Sequence, residues 1–116
     1  MSESARNEER CLSLAEREIV ARTHLPAIEQ LADEDLAQTK KLVRELRDRA
    51  RAITHRQRRQ IRGNAEPSGA RAATDDTGSR RKLSMLAAAM KRLSAEARRR
   101  RSRAAKADLV ANARAA

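Results

Sequence analysis

The chain has 116 residues, a formal net charge of +11 and no Phe, Tyr or Trp. Leu, Ile and Val together supply 18 residues and Ala alone supplies 24, so bulky apolar side chains are too few to build one large core. The composition therefore excludes an ordinary compact globule and favours long helices in one thin layer, because Ala, Arg, Glu and Leu are strong helix formers.

The sequence also argues against secretion and against a membrane span. Cys11 is the single cysteine, so an internal disulfide cannot form. The acidic, polar start of the chain lacks the features of a signal or transit peptide. A bilayer-spanning helix needs a run of about 18 apolar residues, and the sequence contains none. We therefore expect a cytoplasmic protein.

Acidic and basic residues are segregated along the chain. Residues 1–36 have nine acidic and four basic residues, whereas residues 37–62 have two acidic and ten basic residues. Residues 80–116 have two acidic and twelve basic residues. We therefore expect four segments: an acidic N-terminal arm at 1–32, a basic helix at 33–62, a loop at 63–79 and a second basic helix at 80–116.

The N-terminal arm is expected to hold one or two short helices. Apolar residues between Asn7 and Arg22 have the spacing of a short amphipathic helix. Pro26 suits the first turn of a second helix, because the N–H that proline lacks would have no partner there. The acidic arm either folds over a basic helix and competes with phosphate for its cations, or stays a mobile or loosely docked polar segment; the second interpretation is favoured.

Residues 33–62 are expected to form one long helix, since they contain neither Gly nor Pro. The residues predicted to pack this helix recur at spacings of three and seven on one face: Leu36, Val43, Leu46 and Ile53. Asp33 is the expected N-cap and Gly63 the expected C-cap. The other faces carry ten Lys or Arg side chains.

The segment at 63–79 contains all three glycines and Pro67, which predicts a flexible connecting loop. The helix that follows has a stripe at alternating spacings of three and four, which is typical of a coiled coil: Leu83, Leu86, Met90 and Leu93. Beyond Ala105 the apolar pattern weakens, and we expect the tail to fray.

The two stripes together predict an all-α, coiled-coil-like antiparallel helical hairpin. The same stripes would also suit a partner helix or a second copy of the chain in a four-helix bundle. An intramolecular hairpin and an intermolecular assembly share one heptad pattern, so the sequence leaves a homodimer open.

Two clusters of cations are candidate polyanion-binding sites. At the tip of the predicted hairpin, seven side chains come together: Arg56, Arg58, Arg59, Arg62, Arg80, Arg81 and Lys82. Cations at a helix start interact unfavourably with the helix dipole, and a bound anion would offset this interaction. The alternative is a solvated tip whose positive charge is partly neutralised by Asp75 and Asp76. The second cluster comprises Arg98, Arg99, Arg101 and Arg103. These arginines either bind phosphate or pair with acids of the helix at 33–62, namely Glu34, Asp35 and Glu45.

The expected function is therefore non-enzymatic binding of nucleic acid through its phosphates, with little sequence specificity. The absence of aromatic residues disfavours base stacking. His24, His55 and Cys11 lack the spacing of metal ligands or of a catalytic pair, and no glycine-rich phosphate loop is present, so we expect no cofactor and no metal. The alternative is a helical adaptor or assembly subunit whose partner is an acidic or helical protein.

Overall fold

The computed structural model describes residues 8, 10–63 and 77–115 of the chain. Within that part, four α-helices have defined bounds, which we label α1 Leu14–Ala21, α2 Ala27–Gln30, α3 Asp33–Arg62 and α4 Thr77–Ala115. The described residues include no strand. The two long helices, α3 and α4, pack against each other as a hairpin, which confirms the predicted all-α fold.

The two long helices run antiparallel. The start of α3 lies beside the second half of α4, where Nη1 of Arg100 is 2.8 Å from Oδ1 of Asp33. The end of α3 lies beside the start of α4, where Arg62 and Arg80 line the same groove. The tip of the hairpin therefore brings together the two ends that the sequence predicted.

The loop between the long helices is shorter than predicted on its C-terminal side, because α4 begins at Thr77. Residues 64–76, including the two aspartates expected to neutralise part of the positive charge at the tip, lie outside the described residues. Gly63 ends α3 as expected, with its N–H donating to the carbonyl oxygen of Arg59 at 3.0 Å. Its backbone is right-handed, so the cap does not depend on the freedom of glycine.

Most of the predicted stripe residues lie in the interface between α3 and α4. The fully buried members are Leu36, Val43, Leu86, Met90 and Leu93. Leu46 and Leu83 are partly buried and pack against this core. Ala50 and Ala89 are also buried, and their small side chains let the helices approach closely. The core is therefore narrow, as the shortage of bulky apolar residues requires.

Ile53 does not occupy the interface where the sequence placed it. Its side chain is 42% exposed, and Thr54 is buried in its place. A helix has 3.6 residues per turn, so a stripe spaced at 3.5 residues drifts around a straight helix after two heptads. The hydroxyl of Thr54 donates to the carbonyl oxygen of Ala50 at 2.8 Å, which makes burial of this polar side chain acceptable.

The start of α3 also differs from the prediction by one residue. The N-cap is Ala32, whose side chain cannot accept a hydrogen bond, and Asp33 is the first helical residue. Three acidic residues fill the first turn instead: Asp33, Glu34 and Asp35. Their negative charge lies at the positive end of the helix dipole, which stabilises the helix without a side-chain cap.

The arm folds into two short helices that rest on the hairpin. Residues 8, 10 and 11 are helical, and after a break at residues 12 and 13 α1 begins at Leu14, where Ser13 caps it. The Ser13 side chain accepts from the N–H of Glu16 at 3.2 Å, and the Glu16 carboxylate accepts from the N–H of Ser13 at 2.8 Å. Pro26 is the N-cap of α2, one position earlier than expected. The arm contributes three buried residues to the core: Leu12, Val20 and Ile28.

The C-terminal part of α4 continues beyond the hairpin. The helix extends to Ala115. All residues from 101 to 115 are exposed, including Leu109 at 69% and Val110 at 50%. Ala and Arg are strong helix formers, and they dominate this segment, which accounts for helix without tertiary contacts.

Candidate polyanion-binding face

The basic side chains of α3 and α4 are divided between two sides of the hairpin. One row on α3 has spacings of seven, four, seven and four, and it consists of Lys40, Arg47, Arg51, Arg58 and Arg62. These spacings keep the row on one flank of the helix, next to the buried seam. Apart from Arg100, which is bound to Asp33 and Glu96, the α4 cations that line grooves with this row are Arg80, Lys91, Arg98 and Arg101. We call these nine cations the open face.

The other flank of α4 is covered by the N-terminal arm, and the first contact joins α1 to α4. Nζ of Lys82 lies 2.7 Å from Oε2 of Glu16. Burial acts to raise the pKa of Glu16, but hydrogen bonds from Lys82 and Ser13 outweigh it and lower the pKa below its usual value. Lys82, which the sequence placed at the polyanion-binding tip, is therefore engaged within the protein.

The second contact joins Arg92 to the turn after α1. Nη2 of Arg92 donates to Oγ1 of Thr23 at 2.8 Å, and Nε donates to the Thr23 carbonyl oxygen at 3.1 Å. Thr23 is fully buried, and its hydroxyl donates to the carbonyl oxygen of Val20 at 2.6 Å. The guanidinium thus satisfies polar atoms of the arm that burial would otherwise leave without partners.

The third contact joins Arg100 to the start of α3 and to α2. Besides Asp33, its guanidinium donates to the carbonyl oxygen of Ile28 at 3.2 Å and to Oε1 of Glu96 at 3.2 Å. The hydrogen bond to Asp33 is the largest reason why the pKa of Arg100 is raised. Arg100 therefore connects the arm, α3 and α4 at one point.

Glu96 is a buried carboxylate surrounded by arginines. It is 1% exposed, and Nη2 of Arg99 approaches its Oε2 at 2.8 Å while Nη2 of Arg103 approaches Oε1 at 3.5 Å. Hydrogen bonding from Arg99, supported by Arg100, lowers the pKa of Glu96 despite burial. The predicted cluster at 98–103 is therefore partly paired with acids, but these are Glu96 and Asp33 and not Glu34, Asp35 or Glu45.

The open face consists of three grooves between α3 and α4. The cations that line them are Lys40, Arg100 and Arg101 near the start of α3, Arg47, Arg51, Lys91 and Arg98 in the middle, and Arg58, Arg62 and Arg80 at the tip. Among the described residues that line these grooves, Asp33 is the one acid, and it is bound to Arg100. The result is a long surface on which the lining cations outnumber the lining acids.

The structure separates the residues that the sequence grouped at the tip. Arg58, Arg62 and Arg80 come together there. Arg56, Arg59 and Arg81 are exposed, but their positions in the helices lie away from these grooves. In the second cluster, Arg98 and Arg101 belong to the open face, whereas Arg99 and Arg103 contact Glu96.

Sequence reasoning missed the middle of the open face. Arg47, Arg51 and Lys91 line the middle groove, and none of them is among the residues that the sequence predicts for polyanion binding. The regular spacing of basic residues from Lys40 to Arg62 was visible in the sequence. Reading the period of the charges as well as that of the apolar residues would have identified this row.

The histidines and the cysteine form no obvious reactive site. Nε2 of His24 lies 2.6 Å from Oε1 of Glu8, which ties the turn after α1 to the preceding segment. Cys11 is partly buried and free. Within the described part of the chain, no three His, Cys, Asp or Glu side chains gather in a way that suits a metal ion.

None of the helices in residues 8, 10–63 and 77–115 combines the length and the hydropathy needed to cross a bilayer. No protein-family model, no curated protein and no solved structure matches the chain. The geometry of the open face is therefore the basis for assigning a function.

Proposed function

We propose that this protein is a non-enzymatic, cytoplasmic protein that binds the phosphate backbone of nucleic acid with its open face. The observation that supports this proposal is the placement of nine cations on one side of the hairpin, where one acid lines the grooves. Lys82, Arg99 and Arg103 are not part of the proposed site, because they bind carboxylates of the protein itself.

The dimensions of the open face favour a duplex. The row from Lys40 to Arg62 covers 22 steps along α3, which is about 33 Å at ~1.5 Å per residue. One turn of B-form DNA is about 34 Å long, so a rigid row of this length can follow phosphates over roughly one turn. The chain has no aromatic residue on which unpaired bases would stack, which disfavours a single strand.

Binding through phosphates should be strongly salt-dependent and should hardly depend on sequence. The test is a fluorescence anisotropy titration of the whole chain with labelled duplexes of two unrelated sequences, at salt concentrations from about 50 mM to about 200 mM. We expect a steep fall in affinity with salt and similar affinities for the two duplexes. Absence of binding at the lowest salt concentration would remove the proposal.

A matched pair of variants tests the face. Arg51→Gln/Arg98→Gln removes two open-face cations, and it should reduce the log–log salt slope by about 1.8 if each contacts a phosphate. Arg49→Gln/Arg56→Gln removes the same charge from exposed positions of α3 on its other sides, and should change the slope much less. Equal effects of the two variants would mean that only net charge matters and that the open face is not the site.

A second candidate function, assembly through a helical protein partner or a second copy, is favoured by the C-terminal part of α4. The two predicted stripes are buried against each other, so they are not available to a partner. Residues 101–115 are exposed throughout, and an isolated helix of this length is marginal in water. Sedimentation equilibrium at high salt tests self-association: a dimer that Leu109→Gln/Val110→Gln dissociates would support it, and a monomer would count against it.

A further inference from the structure

The middle groove of the open face differs from the other two grooves in how its cations are engaged. It is a cavity of about 440 Å³ lined by Arg47 and Arg51 of α3 and by Ala87, Met90, Lys91, Ser94, Ala95 and Arg98 of α4. No acid lines it. In the grooves on either side, Arg100 is bound to Asp33 and Glu96, and Arg58 and Arg80 also have partners.

Three of the four cations in the middle groove have no ion-pair partner among the described residues. Arg51, Lys91 and Arg98 form no ion pair with any residue that the structure describes. Arg47 makes one weak contact, with Nη2 at 3.3 Å from Oδ1 of the exposed Asp48. Four like charges from two helices thus line one groove, and among the described residues only Asp48 offsets any of them, which favours binding of an anion.

Arg47 supplies a second, independent observation. Its side chain is 24% exposed, and its Nε is shielded from solvent with no hydrogen-bond acceptor among the described residues. A shielded donor without an acceptor is costly, and protein interiors seldom leave one. Arg47, which lines the groove, therefore has a donor without an acceptor among the described residues.

We infer that the middle groove is a discrete binding subsite for one phosphate group. Arg47 and Arg51 are one helical turn apart on α3, and planar guanidinium groups suit phosphate oxygens. Lys91 and Arg98 approach from α4 at three residues before and four residues after Ser94, on the same flank of that helix. The Ser94 hydroxyl adds a neutral donor between them.

The inference rests on the proposed function in one respect: the phosphate group bound in the subsite can belong to the backbone of a nucleic acid. Free inorganic phosphate or a phosphate monoester has the same chemistry and is the other source. The remaining open-face cations would then add non-specific attraction on either side, whereas the middle groove would fix the position of one phosphate.

The test is an NMR titration of the ¹⁵N-labelled whole chain with inorganic phosphate, with sodium chloride at matched ionic strength as the reference. We expect saturable shifts of the Arg47 Nε–H and of the Ser94 and Arg98 amides with phosphate but not with chloride. Arg51→Gln should weaken phosphate binding about tenfold, and Arg49→Gln should leave it unchanged. Shifts that do not saturate, or that Arg51→Gln leaves intact, would overturn the subsite.

A duplex titration on the same variants separates the two sources and the two proposals. If Arg51→Gln weakens both phosphate and duplex binding beyond Arg49→Gln, the subsite holds a backbone phosphate. If it weakens phosphate binding alone, the ligand is free phosphate or a monoester. If duplex binds and phosphate does not saturate, the subsite is wrong and the proposed function stands. If neither binds, both proposals fail.

Discussion

The guanidinium of Arg100 and the carboxylate of Asp33 are joined at 2.8 Å, and this contact fixes the start of α3 against α4. The same guanidinium donates to the carbonyl oxygen of Ile28. One side chain of α4 therefore holds both a long helix and the arm in place. The other two polar arm contacts, from Lys82 and Arg92, also originate in α4, whereas α1 packs against α3 as well.

Replacing the buried carboxylate should destabilise the protein. Glu96→Gln leaves Arg99 and Arg100 near a neutral amide, which cannot accept from both guanidinium groups as a carboxylate does. We expect a loss of about 2–3 kcal/mol in the free energy of unfolding. Urea unfolding followed by circular dichroism measures it. Glu34→Gln, an exposed change of the same kind, should cost less than about 0.5 kcal/mol; similar losses for both would contradict the role of Glu96.

Acid should weaken the fold through Glu16 and Glu96. Both carboxylates have a pKa lowered from the usual value of 4.5 in the folded protein. The unfolded chain therefore takes up protons first, and the stabilisation is complete above 4.5 and lost as the pH falls through the lower folded-state values. The urea midpoint should drop between about pH 5 and about pH 3. A midpoint in Glu96→Gln that varies with pH as steeply as the wild type would argue against this assignment.

The burial of Leu86 and the exposure of Ile53 lead to a prediction about these two apolar residues. Leu86→Ala creates a cavity at a fully buried position and should cost about 3 kcal/mol. Ile53→Ala removes a side chain that is 42% exposed and should cost less than about 1 kcal/mol. Chemical denaturation of the two variants compares them. If Ile53→Ala lowered the free energy of unfolding as much as Leu86→Ala, Ile53 would have to be packed in the interface between α3 and α4.

Arg92 should control how firmly the arm is held. Arg92→Gln removes the donors to the hydroxyl and carbonyl oxygen of Thr23, and the α1 amides should exchange about tenfold faster with solvent. Hydrogen exchange read by mass spectrometry on arm peptides measures this. Lys91→Gln changes the neighbouring residue on the open face and serves as the control. Unchanged protection of α1 in Arg92→Gln would show that apolar contacts alone hold the arm.

The hairpin itself was predictable from sequence because it depends on local periodicity. Leu36, Val43, Leu86 and Leu93 follow a heptad that any reader of the sequence can recognise. The position of Ile53 was not predictable from the same pattern, because the drift between 3.5 and 3.6 residues depends on whether the helix stays straight.

The division of the cations into two faces was beyond a reading of the sequence. Lys82 and Glu16 are 66 positions apart, and nothing local indicates that they meet. Which arginines stay available to a ligand depends on where the arm docks, and that is a property of tertiary packing. The interpretation of a loosely attached arm accordingly underestimated its contacts, since nothing local in the sequence indicates the hydrogen bonds between Arg92 and Thr23.

The docking of the arm on α4 has a consequence for biosynthesis. The hydrogen bonds from Arg92 to Thr23 and from Arg100 to Ile28 join positions 69 and 72 residues apart. Contacts at such sequence separations form late, because the intervening chain must first be made and closed into a loop. The packing of α1 on α3 does not need α4, whereas the contacts from Arg92 and Arg100 can form only after α4 has been synthesised.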